Sequence, residues 1–423
     1  MQNFIHKIKL VLGDKNLRKR IIFTLVMLAL FRLMASIPIP GIDTFKLEQF
    51  MSDNDFFGLL NIFSGGGLSN LSIIMLGVSP YITASIIMQL MTVMFPKLKA
   101  MYQEEGELGR RKFSQYSRFL TVPLALMQGY AFIILLQNQN VLSKLAGFEL
   151  LTNLIVIAAG SMLLMWLGEL VSEFGIGNGV SLIIFAGIVA ILPSATSQLL
   201  FAFDPSQLPM YIGFLAAAIA VIWGVVVITE AERPIPITYA KQVRGNKMYG
   251  GVSTYLPLRV NQAGVIPIIF ALSILLFPQM IIRFLANVDN TIIQKISEFL
   301  LALLSNQIFY GIAYFLLVFV FTYFYTAITF DPENLSKNLQ RGGAFIPGVR
   351  PGSSTSSYIA KILSRLTMIG AIFLGLIAVL PLIVRAATGI SAVAIGGTGL
   401  LIVVSVVLDL VKKVDAQISA REY

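Results

Sequence analysis

The chain has 423 residues, of which 57% are hydrophobic and 12% charged, and its formal net charge is +10. Apolar runs long enough to cross a bilayer recur along it, so composition predicts a polytopic helical membrane protein rather than a globular core. The chain contains no cysteine, which excludes disulfides and thiolate metal sites. Its one histidine, His6, has no companion ligands, so no metal or other cofactor is expected.

The N-terminal residues 1–20 are basic and weakly amphipathic, and we expect them to lie on the inner membrane face. The apolar run that follows begins at Ile21 and continues past Arg32 to Pro38. A run of that length favours a membrane anchor over a cleaved signal peptide. A side chain that snorkels to the interface explains Arg32 more simply than a functional charge.

Hydropathy predicts ten membrane spans, near residues 21–38, 74–95, 117–137, 151–172, 179–197, 210–229, 263–285, 307–329, 365–385 and 393–411. An even number of spans places both termini on the same side. Lysine and arginine are concentrated in segments 1–20, 96–118, 230–261 and 330–365. The positive-inside rule therefore predicts a multi-pass membrane protein with both termini in the cytoplasm.

The segment Phe57–Ser72, between the first two predicted spans, is half apolar and carries Gly65–Gly67. It is too short and too broken to cross a bilayer, which takes roughly 20 mostly apolar residues. The span after it carries Thr83, Ser85 and Gln89. Lipid cannot satisfy exposed backbone groups, so a re-entrant segment beside a helix with polar side chains predicts a cavity between them.

Two long cytoplasmic loops combine basic residues with features of ordered structure. Residues 230–261 predict a protruding hairpin, because PIPITYA alternates as a strand does. Residues 330–357 contain Pro, Gly and Ser in a pattern that predicts turns rather than helix. We expect a docking surface for a partner rather than charges that only orient the helices. Its candidate residues are Lys241, Arg244, Lys247, Arg259, Arg341 and Arg350.

Motifs for catalysis are missing from the sequence, so we do not expect an enzyme. Gly175, Gly177 and Gly179 lack the spacing of a dinucleotide-binding loop, and no Gly-Lys-Ser/Thr follows the earlier glycine run. Glu169 and Glu173 end the fourth span at its cytoplasmic side. An interfacial role is favoured for this pair over a proton path.

Nine motifs, taken in order, resemble the bacterial SecY family, whose members form the pore of the general protein-secretion translocon. They are IPIPGI (37–42), NIFSGGGLS (61–69), PYITASIIMQL (80–90), EGELGRRKFSQYSR (105–118), MWLGE (165–169), GIGNGVSLIIFAGI (175–188), STYLPLRVNQAGVIP (253–267), GAFIPGVRPG (343–352) and GGTGLLIVV (396–404). The resemblance covers nearly the whole chain from about residue 20.

The resemblance implies an all-α membrane protein in which ten transmembrane helices form two inverted, pseudo-symmetric halves around an hourglass pore with a re-entrant plug. Residues 21–197 would form the first half and residues 198–411 the second, with a cytoplasmic tail at 412–423. The family's pore ring falls on Val78, Ile82, Val180, Ile184, Ile269 and Ile402. Plug residues would be Asn61, Phe63, Ser64, Gly65, Gly66 and Gly67. Those of a lateral gate between span 2 and spans 7 and 8 would be Thr83, Ser85, Gln89 and Gln262.

The implied function is a protein-conducting channel of the plasma (inner) membrane that translocates unfolded secretory polypeptides and releases transmembrane segments sideways into lipid. The implied partners are the small membrane subunits SecE and SecG, the SecA motor, the ribosome, signal sequences and nascent chains. A secondary transporter of a small solute is the alternative, and it would predict ionisable residues near mid-bilayer on broken helices. Apart from Arg32, ionisable residues sit at span ends. A structural scaffold would leave the re-entrant segment unexplained.

Overall fold

The computed structural model describes residues 13–39, 64, 66–68, 71–138, 142, 147–201, 208–240, 242–244, 247–249, 253–285, 291–388 and 396–422. The described helices are α1 (Lys15–Ala35), α2 (Ser79–Met94), α3 (Pro96–Gln103), α4 (Gly106–Asn138), α5 (Phe148–Phe174), α6 (Gly179–Phe201), α7 (Leu208–Glu230), α8 (Ile266–Leu285), α9 (Thr291–Ser305), α10 (Gln307–Thr329), α11 (Pro332–Arg341), α12 (Ser353–Thr388) and α13 (Gly396–Glu422). The strands are β1 (Glu232–Tyr239), β2 (Gln242–Arg244), β3 (Lys247–Tyr249), β4 (Ser253–Arg259) and β5 (Ala344–Phe345).

A helix lies at each of the ten positions where hydropathy predicts a span. Within the described residues, four helical stretches are long and apolar enough to cross a membrane, namely Gly106–Gln137, Phe148–Phe174, Gln307–Arg341 and Ser353–Leu380. A fifth is added if α2 and α3, between which the chain bends by 113°, form one span. Several helices continue beyond their predicted spans, as α13 does into the predicted tail.

The second predicted span begins later than hydropathy suggests. Residues 73–78 form turns, and α2 starts only at Ser79, with Pro80 in its first turn. Proline lacks the N–H that a helix interior needs, whereas its fixed φ suits the start of a helix, so Pro80 sets this boundary. Before the helix, the Ile73 amide donates to the Ile37 carbonyl at 3.0 Å, which ties the turns back to the end of α1.

The predicted hairpin in the first long loop is confirmed. Strands β1 and β4 pair antiparallel along their length, and β2 pairs with β3 beyond them. On β1, Ile235 and Ile237 are buried while the residue between them is exposed, which is the alternation expected of a strand with one covered face. The strand order is β4–β1–β5, so the second long loop adds the third strand.

The prediction of turns rather than helix for residues 330–357 is wrong in its first part, where α11 forms. The Asp331 carboxylate caps the helix by accepting hydrogen bonds from the amides of Glu333 and Asn334, at 2.9 and 3.2 Å. Pro332 follows the cap at a position where proline favours a helix. An ion pair of 2.8 Å between Lys337 and Glu333 adds support within the helix. These local signals outweigh the glycines and prolines that follow.

Buried side chains of the described residues form three clusters. The central cluster takes residues from α1, α2, α5, α6, α7, α8, α10, α12 and α13. The second cluster lies around the turns before α2 and includes residues of α4 and α5. The third joins the two long loops, because Ile235 and Leu258 of the first loop pack with Ile346 and Ile359 of the second region. The two loops are therefore one folded unit, which we call the loop sheet.

Candidate functional site

The six predicted ring residues come from four separate parts of the chain. Val78 directly precedes α2 and Ile82 lies on it, Val180 and Ile184 lie on α6, and single residues come from α8 (Ile269) and α13 (Ile402). Five of the six belong to the central cluster, and Val180 packs against it. The structure thus brings all six positions into one connected group of aliphatic side chains, which we call the waist.

The waist is closely packed. Ile184 and Ile402 are each 1% exposed and Val78 is fully buried, while Ile82 and Ile269 reach only 7% and 6%. Val78 is not itself helical, but the Ile82 amide donates to its carbonyl at 3.0 Å, so the pair keeps the helical spacing that the sequence predicts. Aliphatic side chains offer neither hydrogen bonds nor charge, so the waist presents only apolar surface.

Glycines allow the elements that carry the waist to approach closely. A Cβ built on Gly179, the first residue of α6, would overlap the carbonyl oxygen of Gly168 on α5. A Cβ on Gly160 of α5 would overlap the carbonyl oxygen of Ile73, in the turns before Val78. Close backbone contact of this kind needs glycine. These two contacts fix the positions of Val180 and Val78 relative to α5.

The lateral gate is predicted between α2 and α8, and these two helices are in contact. Its polar side chains do not bond across that seam in the described structure. The Thr83 hydroxyl donates to the Ser79 carbonyl of its own helix at 3.0 Å, and Ser85 is a hydrogen-bond partner of Tyr81, also on α2. Gln89 Oε1 is buried and has no hydrogen-bond partner among the described residues. Among the described side chains, packing rather than polar bonding holds this seam.

Three of the predicted plug residues, Ser64, Gly66 and Gly67, are described, whereas Asn61, Phe63 and Gly65 lie outside the described residues. The Ser64 hydroxyl accepts a hydrogen bond of 3.0 Å from the Leu68 amide. The Ser72 hydroxyl donates to the Gly67 carbonyl, also at 3.0 Å. These bonds make a compact, buried turn.

This turn is attached to the waist through its neighbours. Leu68 and Leu71 belong to the second cluster, and Ile73 packs against both the second and the central cluster. Gly66 has a φ of +82°, which favours glycine. A Cβ built on it would lie 3.3 Å from Nη1 of Arg32, so the guanidinium of α1 reaches the turn. This position explains Arg32 better than snorkelling into the interface.

A cavity of about 300 Å³ lies on the side of the waist that carries the loop sheet. We call it the vestibule. It is lined by the start of α6, the ends of α7, β4 and α10, the segment before α8, and α13. Gln262, predicted at the gate, lines it beside Asn178 and Arg259. Asn261 Oδ1 and Ser405 Oγ, also in its lining, are buried and lack hydrogen-bond partners among the described residues.

Charged residues surround these features without entering the waist. Lys412 forms an ion pair of 2.8 Å with Glu230, and Lys413 pairs with Asp409 at the same distance, both beside the vestibule. Between α4 and α5, Arg118 Nε lies 2.7 Å from Glu169 Oε1. Across the described part of the chain, no three His, Cys, Asp or Glu side chains are close enough to share a metal ion.

The predicted docking residues fall on or beside the loop sheet. Arg259 and Arg350 are exposed, and so is Arg341 at the end of α11. Arg244 and Lys247 lie on β2 and β3, but their side chains are outside the described set, as is all of Lys241. The Arg350 carbonyl accepts a hydrogen bond of 2.9 Å from the Thr355 hydroxyl. This bond fixes the backbone without involving the Arg350 side chain.

Comparison with known proteins identifies the family. The SecY family model matches residues 72–411. The protein translocase subunit SecY of Mycobacterium tuberculosis is 40% identical over 429 residues, covering 96% of each chain. This chain belongs to the SecY family. The corresponding SecY subunit of Thermus thermophilus is 42% identical over 419 residues, covering 96% of this chain and 94% of its own.

Solved structures show the SecY fold for this chain. A structure described as a protein conducting channel matches with a TM-score of 0.65 at 20% identity, covering 96% of this chain and 93% of the other. Sec61 in a canine ribosome–channel complex from the endoplasmic reticulum matches with a TM-score of 0.63 at 19% identity and the same coverage. The predicted family and the mostly helical fold of SecY and Sec61 channels are confirmed, and the chain is a membrane protein of the SecY family.

Sequence reasoning missed most of the polar lining of the vestibule. Asn178 and Asn261 stand inside two motifs that carry the SecY resemblance, GIGNGVSLIIFAGI and STYLPLRVNQAGVIP. Their motif membership was a signal, but their shared cavity depends on α6, α8 and α13 meeting in space. Ser405 lies one residue after the GGTGLLIVV motif. Nothing in its local sequence distinguishes it from a serine on any apolar helix.

Proposed function

We propose that this chain is the pore-forming subunit of a protein translocon, which passes unfolded secretory polypeptides across the membrane. The observation that carries the proposal is the waist, in which six aliphatic positions from four parts of the chain meet below a polar vestibule. Membership of the SecY family, whose curated relatives are named protein translocase subunits, supports the same conclusion.

The chemistry of the waist suits a channel that must accept many sequences. A passing polypeptide finds no charge or hydrogen-bonding group there that would retain it. An apolar constriction also disfavours water and ions when no substrate fills it, as hydrophobic gates do. The same side chains therefore serve passage and closure.

We further propose that the channel opens sideways between α2 and α8. The seam is packed without polar bonds among the described side chains, so separating the helices breaks contacts that lipid tails or an apolar segment can replace. A transmembrane segment would leave the channel according to its transfer free energy. A central Arg or Asp would disfavour that exit by about 2.5–3.5 kcal/mol.

The turn that contains Ser64, Gly66 and Gly67 is proposed to belong to the plug, which closes the channel on the side opposite the vestibule. It is compact, and its attachment to the waist runs through few residues, of which Ile73 is the one shared by both clusters. A plug must move aside when a polypeptide enters. The contact of Arg32 with Gly66 is one that such a movement would break.

The topology and partners belong to the same proposal. Ten spans in two inverted halves would place both termini and the loop sheet in the cytoplasm, where positive charge is concentrated. The loop sheet, joined into one unit by its own core, offers a firm surface for the SecA motor or a translating ribosome. SecE and SecG are the small subunits expected beside the channel. Sec61 and Ssh1, whose structures match this fold, are bound to ribosomes in those structures.

Reconstitution tests the proposed function. Vesicles that contain the chain with SecE and SecG receive SecA, ATP and a secretory precursor, and protease is then added outside. We expect the precursor to become protected only when all components are present, with motor-free vesicles and vesicles without the chain as controls. Uptake of small solutes by the same vesicles, without precursor protection, would contradict the proposal and support a secondary transporter.

A further inference from the structure

The helix α9 has an apolar face that no described element covers. It packs against α8 before it and α10 after it. Ser297 is 3% exposed and marks the side that faces the protein. Ile296 and Phe299, one turn apart on a different side, are 55% and 69% exposed. Lys295 and Glu298 are exposed on the remaining side. Phe299 follows Lys295 by four residues, so the apolar side adjoins the charged side, and both lie away from the side that Ser297 turns to the protein.

α9 is followed directly by α10, which also carries a long exposed apolar face. Asn306 is the single residue between the two helices, and its side chain caps α10 by accepting from the amides of Ile308 and Phe309 at 3.0 and 3.3 Å. On α10, Ile308, Ile312 and Leu316 follow at four-residue spacing and are 75%, 57% and 54% exposed. Spacing of this kind puts them on one face of the helix.

In a membrane protein, an exposed face of this composition on a spanning helix contacts lipid. α10 is part of a stretch long and apolar enough to span. Because α9 leads through the single residue Asn306 into the outermost turn of α10, lipid is the partner that fits the exposed apolar residues of both helices. The charged side of α9, with Lys295 and Glu298, suits water or headgroups. An amphipathic helix with these sides lies in the lipid–water interface.

We propose that α9 is an interfacial anchor, whose Ile296 and Phe299 enter the lipid of the leaflet opposite the loop sheet. Its contacts with both α8 and α10 would hold these two helices at a fixed depth in the bilayer. The anchor does not depend on what the channel transports, so it can be tested without a translocation assay.

Fluorescence quenching provides the test. In the full-length chain, the exposed Trp166 and Trp223 are first replaced by phenylalanine. A single tryptophan is then introduced as Phe299→Trp or, as the matched control one residue away, as Glu298→Trp. Each protein is reconstituted in phosphatidylcholine vesicles with bromine atoms placed either near the headgroups or near the chain ends, and aqueous iodide is added separately.

We expect the Phe299→Trp emission to be quenched most by bromines near the headgroups and little by iodide. Glu298→Trp should show the reverse, and Ile296→Trp should repeat the Phe299→Trp result. Iodide quenching of Phe299→Trp equal to that of Glu298→Trp would place the helix in water and overturn the proposal. Protection of Phe299→Trp from both quenchers would mean that a protein surface covers this side, which also overturns it. Unchanged thermal unfolding midpoints show that each variant is folded.

Discussion

The waist and the vestibule lie next to each other, but the waist consists of aliphatic side chains and the vestibule is lined by polar ones. At the waist, aliphatic side chains such as Ile184 and Ile402 are buried against one another. In the vestibule, amide and hydroxyl groups line a cavity of about 300 Å³, and two of them, Asn261 Oδ1 and Ser405 Oγ, have no hydrogen-bond partner in the described structure. One region is closed by packing, and the other keeps polar groups unpaired.

This difference has a physical meaning. A buried polar atom without a partner destabilises a fold, so such atoms call for an explanation. In the vestibule they would be available to water or to an incoming polypeptide backbone. At the waist the same groups would admit water and ions. The two regions should therefore respond to substitution in opposite ways.

The largest effect is expected where the two regions join. Gly179→Ala would drive a Cβ into the carbonyl oxygen of Gly168, a backbone atom that cannot rotate away. Overpacking costs about 1–3 kcal/mol and sometimes more, and we expect the upper end here. Thermal unfolding measures the loss. Gly213→Ala on α7, which has open space around it, is the control and should be neutral or slightly stabilising. Equal thermal unfolding midpoints for the two variants would show that Gly179 and Gly168 do not pack as closely as described.

A cross-link between α2 and α8 should stop transport while leaving the fold intact. The chain has no cysteine, so a cysteine at Gln89, paired with single cysteines along the first turns of α8, can form only the intended disulfide. We expect at least one pair to cross-link on oxidation and to block precursor protection, with reduction restoring it. If a fully cross-linked protein exports precursor at the normal rate, sideways opening of this seam is not required.

The structure also shows which parts of the fold could be read from the sequence. The strand β1 was predictable because Ile235 and Ile237 alternate with exposed residues, and hydropathy located each long apolar helix. The helix α11 was hidden because its signal is a cap, Asp331 with Pro332, inside a region rich in turn residues. The pairing of Thr238 with Phe345, which joins the two loops, depends on a contact between distant segments that no local pattern reveals.

The site shows the same limit. The waist positions were identified only through family motifs, since buried aliphatic residues at helical spacing are typical of any core. Of the polar lining of the vestibule, only Arg259 and Gln262 were identified, and for other roles, because the remaining residues are unremarkable until the helices that carry them meet. Likewise, α9 is too short for hydropathy to predict it as a span. Which of its residues are exposed depends on how it packs against α8 and α10, and the local sequence does not reveal that.

A smaller effect is expected at the loop sheet. Arg350→Glu reverses an exposed charge, whereas the backbone at this position stays bonded to Thr355. We expect the affinity for SecA to fall about tenfold, or ~1.4 kcal/mol, with no change in thermal stability. Arg350→Lys should keep most of the affinity. Unchanged SecA binding and transport in Arg350→Glu would show that Arg350 takes no part in docking.

The smallest effect is expected from removing a single buried hydroxyl, and it should differ between the vestibule and a buried polar site elsewhere. Ser405→Ala and Ser161→Ala each remove a buried hydroxyl that has no partner among the described residues, but only Ser405 lines the vestibule. Both variants should keep or slightly gain stability, by up to about 1 kcal/mol. Only Ser405→Ala should slow precursor protection. The same transport rate in both variants would show that this hydroxyl does not meet the passing chain.

The central claim is that the waist, and not the general core, seals the channel. The most direct test is the ion conductance of resting channels in planar bilayers for Val78→Thr and Val318→Thr. Both valines are fully buried in the central cluster, and both substitutions keep the side-chain shape, so each buries a hydroxyl at a similar cost of about 1–3 kcal/mol. We predict that Val78→Thr leaks ions and that Val318→Thr, on α10, stays closed. Equal conductance in the two variants would contradict the account.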